Sequence, residues 1–248
     1  MRRPAMNKIK YAFLFFIALL VFSACNSNTV PLEPLSTDTL ESKDVTDTCD
    51  MAGADGNYSI SVHGTKDGVE EFLILLGDFD SKNKGTLTSG YAHDYDTCYN
   101  ITPEEIKLQK PGCRIFKFSE SSLSVLQYEG DFYMLGESFG GLGVVDMKLA
   151  DLNDDGEEEL YFTYSWGSGL HRSHIAYFDF KEKTGRVIDY VYINNDMMII
   201  EDEKGGLSLY HANISCDGKT DTYFIEYSLE SGEFLGKLVY KDGSIIVE

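Results

Sequence analysis

Oxygen-bearing side chains crowd one short stretch, Asp151-Leu152-Asn153-Asp154-Asp155-Gly156-Glu157-Glu158-Glu159, and their spacing suits the capture of a hard cation. Asp151, Asn153 and Asp155 alternate along the chain, so three oxygens can converge, and Gly156 behind them lets the backbone fold back sharply. Glu159 adds a carboxylate at the ninth position. The candidate ligands are Asp151, Asn153, Asp155, Glu157 and Glu159. With oxygen donors alone, Ca²⁺ is the expected ion; Mg²⁺ demands a near-ideal octahedron and keeps its waters. The stretch holds no His or Cys to suggest zinc. An EF-hand is excluded, because the twelfth position from Asp151 is Phe162 where a bidentate Glu is needed. The competing reading is an acidic Asx-rich turn, the ordinary composition of an exposed hairpin loop.

A second polar stretch, SWGSGLHRSH from Ser165 to His174, follows directly. His171 and His174 are spaced to share a transition metal, and Ser168 with His171 could form a nucleophile and its base. Trp166 and Arg172 could instead contact a ligand. Gly167-Ser168-Gly169 lacks the spacing of a Gly-x-Ser-x-Gly elbow, which weakens the nucleophile reading. Trp166, Ser168, His171, Arg172 and His174 therefore form a candidate ligand loop, set against a hairpin tip whose polar groups bond locally. Adjacent acids such as Glu70-Glu71 and Glu157-Glu158 read as a solvated face rather than glycosidase pairs.

The flanks of the acidic stretch carry a family likeness. Phe139-Gly140, a strand-like run, the Asp151-x-Asn153-x-Asp155-Gly156 loop and a second strand-like run to Trp166 stand in the order of one FG-GAP or VCBS repeat, which residues 138–166 resemble. In those families such loops bind calcium and the repeats build β-propeller blades; Glu159 stands where the family usually has Asp. The resemblance implies a Ca²⁺ loop between two strands of one blade.

The N-terminus carries its own chemistry. Arg2, Arg3, Lys8 and Lys10 precede the apolar run YAFLFFIALLVFSA, which is short of the roughly 20 residues of a membrane-spanning helix and reads as a signal-peptide core. Phe22-Ser23-Ala24-Cys25 resembles a bacterial lipobox, so residues 1–24 are the expected signal peptide and Cys25 the expected lipidation site. Met6 would serve as a start equally well. Export places the chain in an oxidising space, where Cys49, Cys98, Cys113 and Cys216 can form two disulfides, Cys98 with Cys113 closing the shortest loop; small buried thiols are the alternative.

Residues 25–52 then form a Pro-, Ser-, Thr- and acid-rich tether unable to bury enough apolar surface to fold. Without the four signal-segment cations, 17 of the 21 basic residues face all 41 acidic ones, a formal charge of −24. Such a chain does not bind nucleic acid, and it touches the membrane through its lipid rather than by electrostatics.

What positions these sites is a run of short segments rich in Tyr, Phe, Val and Ile from 53 to 248, a single β-rich domain. Turn signals punctuate it at Glu129-Gly130-Asp131, Lys183-Thr184-Gly185, Lys204-Gly205-Gly206, Asp217-Gly218, Ser231-Gly232 and Asp242-Gly243. The expected fold is mainly β, an antiparallel meander of hairpins, with a small or degenerate β-propeller as the alternative. Leu160, Phe162, Tyr164 and Trp166 alternate with Tyr161, Thr163 and Ser165, so both faces of that strand should be covered. One short helix is expected from Thr102 to Gln109, capped by Thr102 with Pro103 first in the helix, while Val69–Leu76 reads equally as helix or buried strand.

These features together describe a membrane-anchored extracytoplasmic lipoprotein whose Ca²⁺-stabilised β domain binds a protein or glycan without catalysis. An extracytoplasmic hydrolase acting on envelope or carbohydrate substrates is the alternative.

Overall fold

Each hairpin signal between short apolar runs turns the chain back on itself, and the result is three antiparallel sheets. The computed structural model describes residues 57–85, 87, 94–119, 121–137, 140–167, 169–216 and 226–248. In the first sheet β2 (Cys98–Asn100), β3 (Arg114–Phe118), β4 (Ser124–Tyr128) and β5 (Asp131–Met134) lie side by side in chain order. The second sheet repeats the plan with β6 (Gly143–Ala150), β7 (Glu159–Trp166), β8 (Arg172–Asp179) and β9 (Thr184–Ile193). The third runs β10 (Asp196–Glu201), β11 (Leu207–Ser215) and β12 (Glu226–Lys241), and is completed out of sequence by β1 (Ser59–His63). β1 pairs with one end of β12, and β13 (Ser244–Val247) pairs with the other.

The turns follow from local chemistry. Glu129 and Gly130 both take positive φ, 49° and 85°, in the two-residue turn between β4 and β5, and Asp242-Gly243 repeats this before β13. Lys183 and Gly205 sit in the turns before β9 and β11 as their composition predicts. Ser231-Gly232 does not turn the chain: it lies inside the 16-residue β12, where the register against β11 shifts between Tyr210 and Ala212. The glycine there relaxes a bulge instead of closing a hairpin. Asp217-Gly218 lies outside the described residues.

Alternation sets the layers. Along β7, Leu160, Phe162, Tyr164 and Trp166 join Ile115, Leu126 and Leu135 of the first sheet in one core. Tyr161 on the opposite face joins Met197, Ile199, Leu207 and Leu209 of the third. The strand is therefore covered on both sides, and β6 is buried almost throughout. Mainly β architecture in antiparallel hairpin sheets is thus the observed fold; among the described residues the three sheets do not close into a barrel.

Val69–Leu76 resolves as helix, part of α1 (Val69–Lys82), so the described residues hold two helices rather than one short one. Val69, Phe72 and Leu76 recur at helical spacing and are buried against the first sheet, with Phe72 stacked on Phe116 at 3.7 Å between ring centroids. Truncating such a ring costs roughly 3–5 kcal/mol. α2 (Glu104–Gln109) forms near the expected place, but its N-cap is Pro103 and no side chain caps it. Thr102 instead bonds Asn100 Oδ1 at 2.6 Å and accepts the amide of Ile115 at 2.7 Å, because β3 competes for the same hydroxyl.

Candidate functional site

Residues 151–158 join β6 to β7, so the acidic loop hangs between two buried, mutually paired strands. Inside it the side chains turn inward onto the backbone. The amide of Asp155 donates to both Asp151 Oδ1, at 3.1 Å, and Asn153 Oδ1, at 2.9 Å. Gly156 N donates to Asp151 Oδ2 at 2.8 Å, and Glu157 N to Asp155 Oδ1 at 3.0 Å. Asp154 and Gly156 take positive φ, 57° and 88°, and these two residues produce the fold-back that the glycine predicts.

Glu159 differs from the rest. As the first residue of β7 it is buried, 3% exposed, and its carboxylate accepts Asn153 Nδ2 at 3.0 Å and Tyr161 OH at 3.2 Å. Burial raises its carboxyl above the usual range; the Tyr161 hydroxyl opposes this, while Asp155, Asp179 and Asp151 reinforce it. Glu157 turns away to Lys110, 3.8 Å from its carboxylate, and Lys181 stands 3.6 Å from Asp155. Among the described residues no group of three or more His, Cys, Asp or Glu is already gathered to hold a metal. The donor chemistry nevertheless fits a hard cation: each carboxylate oxygen bound to one amide keeps a second lone pair, and the loop brings Asp151, Asn153, Asp155 and Glu159 into one hydrogen-bonded set.

The second stretch divides between two faces of its sheet. Trp166 pairs with Arg172 and Tyr164 with His174, so these four share one face. The Arg172 guanidinium lies over the Trp166 ring at 5.1 Å, and His174 stacks against Tyr164 at 5.4 Å. His174 Nε2 and Trp166 Nε1 are buried without a hydrogen-bond partner. Burial lowers the His174 pKa; Arg172 adds to the effect and Glu137 opposes it. His171 bonds elsewhere, its Nε2 lying 3.0 Å from Asp196 Oδ1. The two histidines therefore do not meet at one metal.

Sequence reasoning missed Asp196, Lys117, Asp146 and Tyr227, which occupy the place where the three sheets converge. Lys117 of β3 donates to Val144 O at 2.7 Å, and Tyr227 of β12 donates to Val145 O at 2.8 Å. Asp146 accepts Ile199 N at 2.7 Å and Met147 N at 2.8 Å. The available signal was a single charge inside an apolar strand, as in Arg-Ile-Phe-Lys-Phe and Gly-Val-Val-Asp-Met.

Of the expected cysteine sites, Cys98 and Cys113 are buried and Cys216 is half-buried. Cys98 packs with Phe72 and Phe118 on the α1 side of the first sheet, whereas Cys113 packs with Ile115 on its other face. A bond between them would have to cross the sheet. The signal segment, Cys25, the tether, Cys49, Ser138, Phe139 and Ser168 lie outside the described residues.

Comparison of the chain with protein-family models, curated proteins and solved structures finds no match.

Proposed function

We propose that this chain is a lipid-anchored extracytoplasmic lipoprotein whose β domain is a binding module, and that its 151–159 loop holds Ca²⁺ as a structural ion. The observation that supports it best is the shared bonding of Asp151 and Asn153 to one amide, with Asn153 linked in turn to buried Glu159. Asp151, Asn153, Asp155 and Glu159 would hold the ion through side-chain oxygens. Glu157, whose side chain lies by Lys110, is left its backbone carbonyl. The ion supplies positive charge where Glu159 is otherwise costly to ionise, and so favours the turn between β6 and β7. The order of loop and strands, which resembles one FG-GAP or VCBS repeat, supports the same reading. Melting the full chain in Ca²⁺ and in chelator tests it: a higher melting temperature in Ca²⁺ is expected, and identical melting removes the ion from the account.

The partner class is a protein or a glycan, reached in the extracytoplasmic space while the lipid on Cys25 holds the chain to the membrane. The hydrolase reading draws on one observation, the His171–Asp196 contact of 3.0 Å, which resembles a base and the group that orients it. Among the described residues Asp196 is the one side chain hydrogen-bonded to His171. Loss of any hydrolytic activity in Asp196→Asn, with melting unchanged, would favour the enzyme over the binding module.

A further inference from the structure

β9 ends the second sheet, and among the described residues no strand pairs with its outer edge. Its two faces differ. Ile188, Tyr190 and Tyr192 turn into the core shared with the third sheet. Val187, Val191 and Ile193 on the other face are 61%, 45% and 42% exposed. β9 shifts register against β8 across 188–190, and Ile188 and Tyr190 both keep to the core, so Asp189 between them turns outward into the apolar strip. Cover by the first sheet stops one strand short: Ala176, the cross-strand partner of Val187, is buried in the core that the two sheets share. A long edge strand carrying three exposed aliphatic side chains is a template for another strand.

Charge and shape decide what fits there. A second copy would pair β9 with itself about a two-fold axis, and centring that pairing on the strip brings the two Asp189 carboxylates together. Each chain also carries a formal net charge of −20, which opposes the approach. A glycan needs an open ring to stack on, and the nearest indole, Trp166, already has the Arg172 guanidinium 5.1 Å over it and His174 stacked at 6.1 Å. An extended polypeptide meets both constraints. Its backbone continues the ladder at the edge, and its alternate side chains lie over Val187, Val191 and Ile193. A basic side chain on it is drawn by the negative chain and faces Asp189.

We propose that the outer edge of β9 is a docking site for an extended polypeptide strand, with a basic side chain facing Asp189 between apolar ones. The inference rests on the binding-module reading and narrows its partner from protein or glycan to a cationic strand. The main-chain ladder supplies affinity, and the Asp189 pair sets the register.

The probe is the acetylated, amidated peptide Val-Thr-Val-Thr-Lys-Thr-Val. Laid antiparallel, it sets its Lys opposite Asp189 and its three Val opposite Ile193, Val191 and Val187. Fluorescence anisotropy with the full chain should show it binding at least about tenfold more tightly than the same peptide with Glu for Lys. Asp189→Asn should lose that preference and Asp189→Lys should reverse it. Hydrogen–deuterium exchange should place the protection gained at 184–193. Equal affinity for the two peptides, protection gained elsewhere, or an edge whose amides are all protected before peptide is added overturns the inference, the last because another segment or a second copy then holds it. No binding of the Lys peptide overturns it too, while leaving the module open to a glycan. Bound peptide recovered cleaved keeps the docking edge and discards only the non-catalytic reading.

Discussion

Asn153 Nδ2 donates to Glu159 Oε1 at 3.0 Å, tying an acidic loop at the surface to a carboxylate buried at the first residue of β7. The tie matters because Tyr161, two residues on, bonds the other oxygen of Glu159 and is itself packed between the second and third sheets. A change in the loop therefore reaches the core through one carboxylate.

The first expectation concerns loop variants. Asp155 places its oxygens within the loop, where Oδ1 accepts the Glu157 amide, whereas the position of Glu158 is not a ligand in the motif. A site occupied at a hundredfold above Kd stabilises the native state by about 2.7 kcal/mol. Asp155→Ala should erase the Ca²⁺-dependent rise in melting temperature and the protection of the loop from proteolysis, and Glu158→Ala should erase neither. Equal responses in the two variants would mean that the loop is only an acidic turn.

Much of this scaffold was legible from short-range chemistry. Alternation from Leu160 to Trp166 predicted a strand covered on both faces, and Glu129-Gly130 predicted a tight hairpin, because both signals are local. What was hidden depends on partners distant in the chain. Val69–Leu76 became helix because Val69, Phe72 and Leu76 meet the first sheet, a contact its sequence does not announce. Ser231-Gly232 became a bulge because β11 runs beside it. His171, one residue before β8, found Asp196, whereas His174 within β8 pairs across to Tyr164.

The stability of the protein should depend on pH through Lys117. Its amine falls from the ordinary 10.5 to about 7 in the folded chain, so between those values the unfolded chain binds the extra proton. Stability should therefore climb as pH rises from about 7 toward 10.5 and be lowest, as far as this group is concerned, below 7. Urea titrations of Lys117→Met should show a flatter dependence over that window. A steeper or unchanged slope would assign the dependence to other groups.

The thiols give a separate check. Burial pushes both Cys98 and Cys113 up to about 12, and the two lie on opposite faces of the first sheet. Neither should react with a thiol reagent at pH 8 in the native protein, since little thiolate is present. A non-reducing peptide map should contain no fragment joining Cys98 to Cys113. Finding that fragment would contradict their placement.

The proposed anchoring draws on the sequence of residues 1–25. Cys25→Ser should abolish lipid attachment and either release the protein from the membrane fraction or leave the precursor uncleaved. Unchanged membrane retention and mobility would discard the lipoprotein reading while leaving the Ca²⁺ loop intact.

The central claim is that the 151–159 loop binds Ca²⁺ in preference to Mg²⁺. Calorimetric titration of the metal-free full chain with each ion measures this directly. The account predicts one saturable Ca²⁺ site, no comparable heat from Mg²⁺, and loss of the Ca²⁺ signal in Asp155→Ala. Absence of Ca²⁺ binding to the wild type, or binding that survives Asp155→Ala unchanged, would contradict it.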